Sequence, residues 1–200
     1  MEFLYSLPFF TTVQIYRKEH LKHHSHLGKP GKDKLLTDYE KFGFSTPGAN
    51  YFWLWFIKPV VGYAGWFYLQ KLTLKPFRYS GLKIALFWTL ILTCFTIFNL
   101  AHILLLYWII PMLWCHYSFL YWSEVSDHFN TRTGTRSNLN RYINLITYNN
   151  GYHYMHHKYP TIPWFKLPTS YKELCDGEGD ISYGFLDTYK QMKSGEAMTS

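Results

Sequence analysis

Apolar and polar positions in this chain are segregated into blocks. Residues 84–122 contain no Asp, Glu, Lys or Arg. One membrane-crossing helix needs roughly 20 apolar residues, and a single helix of this length would overshoot the bilayer about twofold. The pattern predicts a hairpin of two spans, near 82–99 and 102–122, turning around Asn99–His102. Pro111 falls inside the second span and predicts a kink, which membrane helices tolerate. Residues 51–69 are aromatic and apolar but include Lys58, Pro59, Gly62 and Gly65. That mixture predicts a helix lying in the membrane interface. From about Phe10 the chain reads as helical until Gly28, Pro30 and Gly31 end the pattern. Residues 28–50 read as a polar loop closed by Thr46-Pro47-Gly48, residues 70–83 as a basic connector, and residues 123–167 as a polar cap. The expected fold is therefore all-α: a helical integral membrane protein with a transmembrane hairpin and a cytosolic cap. Residues 1–170 make up the membrane domain and residues 171–200 a polar, acidic tail.

Topology adds a constraint. Two spans return the chain to the side it left, so the polar segments before and after the hairpin share one side. Lys/Arg clusters at 17–41, 71–83 and 132–141 lie there, and the short turn has none. By the positive-inside rule that side is cytoplasmic. A third span at 51–69 would separate the two polar segments, which favours the interfacial reading.

Composition supports a membrane setting. Aromatic residues make up 21% of the chain, and such amphipathic rings are favoured at headgroup level. The net charge is +7. Through Lys172, eighteen Lys/Arg outweigh seven Asp/Glu. A basic body of this kind suits anionic lipid or an acidic partner protein. No base-reading motif accompanies the charge, which argues against nucleic acid. Cys94, Cys115 and Cys175 form neither a disulfide framework nor a C-x-x-C motif. No secretory signal is visible: the apolar run Phe3–Phe10 is short and interrupted by Pro8.

The chemistry lies in the histidines. His20, His23 and His24 form H-x-x-H-H, and His153, His156 and His157 repeat it. His128 ends E-V-S-D-H between them. On a helix, positions i, i+3 and i+4 share a face, so each box projects three imidazoles together. Its adjacent histidines diverge by about 100°, which lets one box reach two metals. A single such triplet is as well explained by a polar helix face or a fortuitous zinc site, whereas two copies with His128 point to a metal centre. Imidazoles with few carboxylates and no thiolate suit iron, copper or zinc, not magnesium or calcium. A closed zinc site needs only four ligands, so seven histidines imply two ions, and iron is favoured over copper for oxygen chemistry. His26, His102 and His116 read as surface, interfacial and hydrogen-bonded residues, and Arg132 and Arg136 as a solvated basic face in preference to residues that order the cap or bind an acidic headgroup.

The stretches Y-R-K-E-H-L-K-H-H-S-H-L-G (16–28), E-V-S-D-H-F (124–129) and N-N-G-Y-H-Y-M-H-H-K-Y-P-T-I-P-W-F-K-L-P (149–168) resemble the membrane fatty acid desaturases. Carotenoid ketolases and hydroxylases share similar boxes. The resemblance covers about residues 10–170. It implies two non-haem iron ions held by His20, His23, His24, His128, His153, His156 and His157, with no catalytic side chain beyond these ligands. It places Asp127 or Glu124 in a supporting or water-bridging role. It also implies molecular oxygen, a lipid or fatty acyl substrate, and an electron donor such as ferredoxin or cytochrome b5. The family has a further box, H-x-x-x-H or H-x-x-x-x-H, preceded by apolar spans, and no such separate pair precedes His20. The expectation is a di-iron oxidoreductase that introduces a double bond into an acyl chain. Its rivals are a lipid or carotenoid hydroxylase or ketolase, a non-catalytic membrane subunit or pseudoenzyme lacking the first box, and a plain zinc-binding membrane protein.

Overall fold

A computed structural model describes residues 2–72, 79–175, 177 and 179–194. The described residues are helical apart from loops and one pair of three-residue strands. Among them, two helices are long and apolar enough to cross a membrane: Tyr79–Ile97 and Ala101–His128. Only 17% and 22% of their most apolar windows are buried. Helices that are apolar all round and yet unburied suit lipid surroundings. The reversal between them centres on Asn99, at φ 55°, a left-handed conformation that asparagine tolerates.

The chain divides into two compact units, residues 1–26 with 52–121 and residues 27–51 with 122–200. In the first, Leu7, Ile84, Trp88 and Leu104 form a buried cluster. The Trp88 indole N–H donates to the Leu7 carbonyl at 3.0 Å, and Phe10 stacks on the Trp88 ring at 4.6 Å. The short apolar N-terminal run thus packs against the hairpin. The helix Val13–His26 follows. Its first turn is capped by the buried Thr12, whose hydroxyl oxygen accepts from the Ile15 N–H at 3.2 Å.

Residues 51–69 differ from the single helix expected. A π-helical turn, Trp53–Ile57, and a helix, Tyr63–Lys71, are separated by turns over residues 58–62. Pro59 has no N–H to continue a helix, and Gly62 takes φ 89°. The Ser118 hydroxyl donates to Pro59 O at 2.7 Å and the Tyr121 hydroxyl to Leu54 O at 2.9 Å. A Cβ at Gly65 would collide with the Leu113 carbonyl, so only glycine allows this approach. Around Pro111 the second long helix widens into two π-helical turns, Leu105–Ile109 and Met112–His116, a common response to a missing donor. Lys75 and Arg78 of the basic connector lie outside the described residues.

The second unit contains a helix the sequence reading missed. Lys34–Phe42 forms inside the segment read as a polar loop. Asp33 caps it, accepting from Leu35 N–H at 2.9 Å, and Gly43 closes it at φ 92°. Strand β1 (Arg136–Asn138) pairs in parallel with β2 (Asp180–Ser182). Within the segment read as an acidic tail, the described residues include β2 and a helix that runs to residue 194. Helices Leu167–Leu174 and Phe185–Ser194 flank β2, and Thr188 and Met192 are fully buried.

The helix carrying the second H-x-x-H-H box, His153–Lys158, has no side-chain cap of its own. Ser137 of β1 supplies one, its hydroxyl oxygen accepting from Tyr154 N–H at 3.1 Å. The Asn138 N–H donates to Gly151 O at 2.7 Å. A Cβ on Gly151 would strike the Asn138 carbonyl and lie 2.6 Å from Asn144 Oδ1. Gly151→Ala is therefore expected to lower stability by about 1–3 kcal/mol, the scale of forced overpacking, as a drop in Tm. An unchanged Tm would show that this approach is loose.

Candidate metal centre

In the first unit, the helical repeat carries His20 and His24 onto one face, with their Nε2 atoms 3.1 Å apart. Tyr16, one turn earlier, stacks on the His20 ring at 5.3 Å. Burial lowers the His20 pKa and so favours the neutral imidazole that can bind a metal. His23 diverges: its ring lies 6.2 Å from that of His20 and 85° from the plane of His24. His26 turns back on its own helix, with Nδ1 2.9 Å from Lys22 O and 2.8 Å from the Ser25 hydroxyl.

In the second unit, the end of the long helix meets the box helix. His128 Nε2 and His153 Nε2 are 2.9 Å apart, and both residues are buried. The His157 ring lies 4.9 Å from that of His128 and 4.7 Å from that of His153. His156 stands outside this trio, 5.7 Å from both of its box partners. Each box therefore pairs its i and i+4 rings and turns its i+3 ring aside.

The far nitrogens of the His128 and His153 rings face different neighbours. His128 Nδ1 lies 2.8 Å from the Gly134 carbonyl, so Nδ1–H is the donor and the Nε2 lone pair is left for a metal. His153 Nδ1 lies 3.7 Å from Asp127 Oδ2. Asp127 is itself fixed by the Ser123 and Ser126 hydroxyls and the Asn150 amide, at 3.0–3.2 Å. The helix Ala101–His128 is ~42 Å long at 1.5 Å per residue, against ~30 Å of hydrocarbon. The span read from the sequence ends near residue 122, so Asp127 lies beyond it. Burial pushes the Asp127 carboxyl up to about 7, while hydrogen bonds from Ser126, Ser123 and Asn150 and the positive charge of Arg136 pull it down.

These residues fit a transition-metal ion. Nitrogens ~2.1 Å from an ion and at right angles lie ~3 Å apart, close to the separations in the His20/His24 and His128/His153 pairs.

Arg136 corrects the sequence reading. It is 2% exposed rather than part of a solvated face, and burial lowers its pKa. Its guanidinium donates to the carbonyls of Ser126, Phe129 and Asn130 at 2.7–3.2 Å and to Gln191 Oε1 at 3.1 Å. It thereby satisfies open carbonyls at the C-terminus of the helix that presents His128. Arg132 remains on the surface, its Nε 2.8 Å from Asp180 Oδ1. Tyr39, on the unforeseen helix, donates its hydroxyl to Glu124 O at 2.9 Å. Sequence reasoning also missed Gly134, Ser137 and Asn150, whose roles depend on contacts remote in sequence.

A family model described as "Fatty acid desaturase" matches residues 1–183. Among curated proteins, the sphingolipid delta(4)-desaturase/C4-monooxygenase DES2 of Rattus norvegicus is 28% identical over 178 residues, covering 81% of this chain and 49% of its own length. The Mus musculus protein of the same name is 29% identical over the same extent. The chain spans about half the length of these relatives. No solved structure matches.

Proposed function

Because the chain belongs to the fatty acid desaturase family, we propose that it is an oxygen-dependent di-iron oxidoreductase acting on the acyl or sphingoid chain of a membrane lipid. Its proposed ligands are His20, His23, His24, His128, His153, His156 and His157. The observation that carries this reading is the His128/His153 pair, buried and opposed through Nε2, with His128 Nδ1 held by the Gly134 carbonyl and Asp127 Oδ2 3.7 Å from His153 Nδ1. The two relatives carry both desaturase and C4-monooxygenase in their names, which supports hydroxylation as a second outcome. We place the site on the cytoplasmic side, from the distribution of Lys and Arg, and assign the reducing electrons to a carrier such as cytochrome b5 or ferredoxin.

Iron, when bound, supplies with oxygen the oxidising power to break an unactivated C–H bond, which no side chain here could break alone. The protein's part is to hold the ligands, and burial of His20 favours its neutral imidazole. Gly134 fixes the tautomer and orientation of His128, and Asp127 faces the ring nitrogen of His153 that is turned away from His128. Asn150 ties the loop before the second box to Ser123 and Asp127 of the long helix, so the two ligand-bearing segments cannot shift independently. One methylene must be positioned and water excluded for selective oxidation.

The test is the full chain purified in detergent and, in parallel, expressed in a host whose lipids are profiled by mass spectrometry. The expected result is two iron ions per chain and a lipid product that has lost two hydrogens or gained one oxygen. Both are lost on His156→Ala. A chain that binds zinc but no iron, or a lipid profile unmoved by His156→Ala, would overturn the reading.

A further inference from the structure

Arg141–Ile146 is a six-residue helix with its polarity reversed. Its Asn144 is 4% exposed, and the side-chain amide donates to the Asn138 and Asn140 carbonyls at 2.7 and 3.0 Å. Its apolar residues face outward: Leu145 is 76% exposed, Ile146 74% and Tyr142 67%. This is ordered structure rather than a frayed end, since the Asn140 carboxamide oxygen caps the helix, accepting from Tyr142 and Ile143 N–H at 3.0 and 3.1 Å.

The apolar surface continues beyond the helix. The Tyr148 ring meets Trp164 edge-on at 5.4 Å, and the Asn149 amide donates to Trp164 O at 3.2 Å. Trp164 and Phe165 are more than half exposed. The patch is thus one surface built from two segments and fixed by hydrogen bonds. A contiguous exposed apolar face calls for a covering medium.

Charge selects the medium. Between Asp127 and Glu173 there is no acidic residue, and Arg141, Lys158, Lys166 and Lys172 are exposed. Leu and Ile together with Trp and Tyr, among Lys and Arg, suit the boundary between acyl chains and anionic headgroups. A second copy of the same face would bring like charges together.

We propose that the face formed by residues 141–148 and 164–166 is a membrane-docking surface that seats the second unit in an anionic headgroup layer. It is a contact additional to the two long helices and independent of bound metal. Its function is to hold the histidine-bearing unit against the bilayer from which a lipid chain is drawn.

The experiment is site-directed spin labelling of the full chain in vesicles. Cys94, Cys115 and Cys175 are replaced by Ser, and a nitroxide is attached at Leu145→Cys, Phe165→Cys or, as a control on the C-terminal helix, Lys193→Cys. In phosphatidylcholine vesicles containing phosphatidylserine, the labels at positions 145 and 165 should collide more with oxygen than with a water-soluble nickel chelate. The label at 193 should show the reverse order. Omitting phosphatidylserine should shift the first two toward the chelate. Equal chelate access at 145, 165 and 193 would overturn the proposal, since the face would be solvated. Shielding of 145 and 165 from both reagents would also overturn it, in favour of a second copy of the chain. Two label sites keep the test readable if one variant fails to fold. Iron content is not read, so the outcome is separable from that of the metal-centre test.

Discussion

Replacing His153 with Ala will abolish product formation and lower the iron bound per chain, while the protein stays folded. His128→Ala will do the same. These two imidazoles are the best-fixed pair among the histidines: both are buried, their Nε2 atoms are 2.9 Å apart, and Gly134 O and Asp127 stand behind them. Removing one takes away a ligand and leaves its neighbour without the partner that defined the site. The loss of activity should exceed the ~10–100-fold typical of changes one layer behind a metal ligand. Asp127→Asn calibrates that smaller class. It keeps the shape and can still bond Ser123, Ser126 and Asn150, but removes the negative charge facing His153. Metal analysis, lipid profiling and thermal unfolding on the same preparations separate the two classes. If His153→Ala kept its iron and its product, the ligand assignment would be wrong.

Arg136→Met will destabilise the second unit by about 3–5 kcal/mol, the scale of losing one side of a buried charged network. Met fills much of the arginine volume, so the effect isolates the guanidinium. Three carbonyls, of Ser126, Phe129 and Asn130, lose their donor, as does Gln191 Oε1. Each unsatisfied buried acceptor costs about 1–3 kcal/mol, partly relieved by relaxation. Arg136→Lys recovers little, because an ammonium cannot reproduce the planar fork that reaches several acceptors. Gln191→Leu should cost only about 1 kcal/mol. The measurement is Tm of the metal-free protein, so that lost metal binding does not masquerade as lost folding. A Tm for Arg136→Met within that of Gln191→Leu would show that the helix end is solvated instead.

The legible features were those encoded by local spacing. H-x-x-H-H on a helix must align His20 with His24 and His153 with His157, and an uncharged run of that length must fold back near Asn99. The helix Lys34–Phe42 was legible in principle: Asp33 and Gly43 bracket Leu35, Tyr39 and Phe42, but Lys34, Glu40 and Lys41 on its outer face suggested a loop. The burial of Arg136 was not legible. An arginine is usually solvated, and its burial depends on a helix end ten residues earlier and on Gln191, 55 residues later. How the acidic segment is held was not legible for a similar reason. Its helix Phe185–Ser194 has few apolar residues, and it is held largely by polar bonds, including Asn130 to Met192 O and Gln191 to Ile181 O.

The parallel pairing of β1 with β2 bears on the order of events during synthesis. Chains fold from the N-terminus as they emerge, so the apolar hairpin is complete while residues 180–192 have yet to be made. Until they are, Arg136 has no Gln191, Asn130 has no Met192 carbonyl, and Asn138 lacks its strand partner Ser182. The bonds that tie helix Phe185–Ser194 to Asn130 and Arg136 therefore form last. A nascent chain halted before residue 180 should emerge with an intact hairpin and with Arg136 lacking its contact to Gln191.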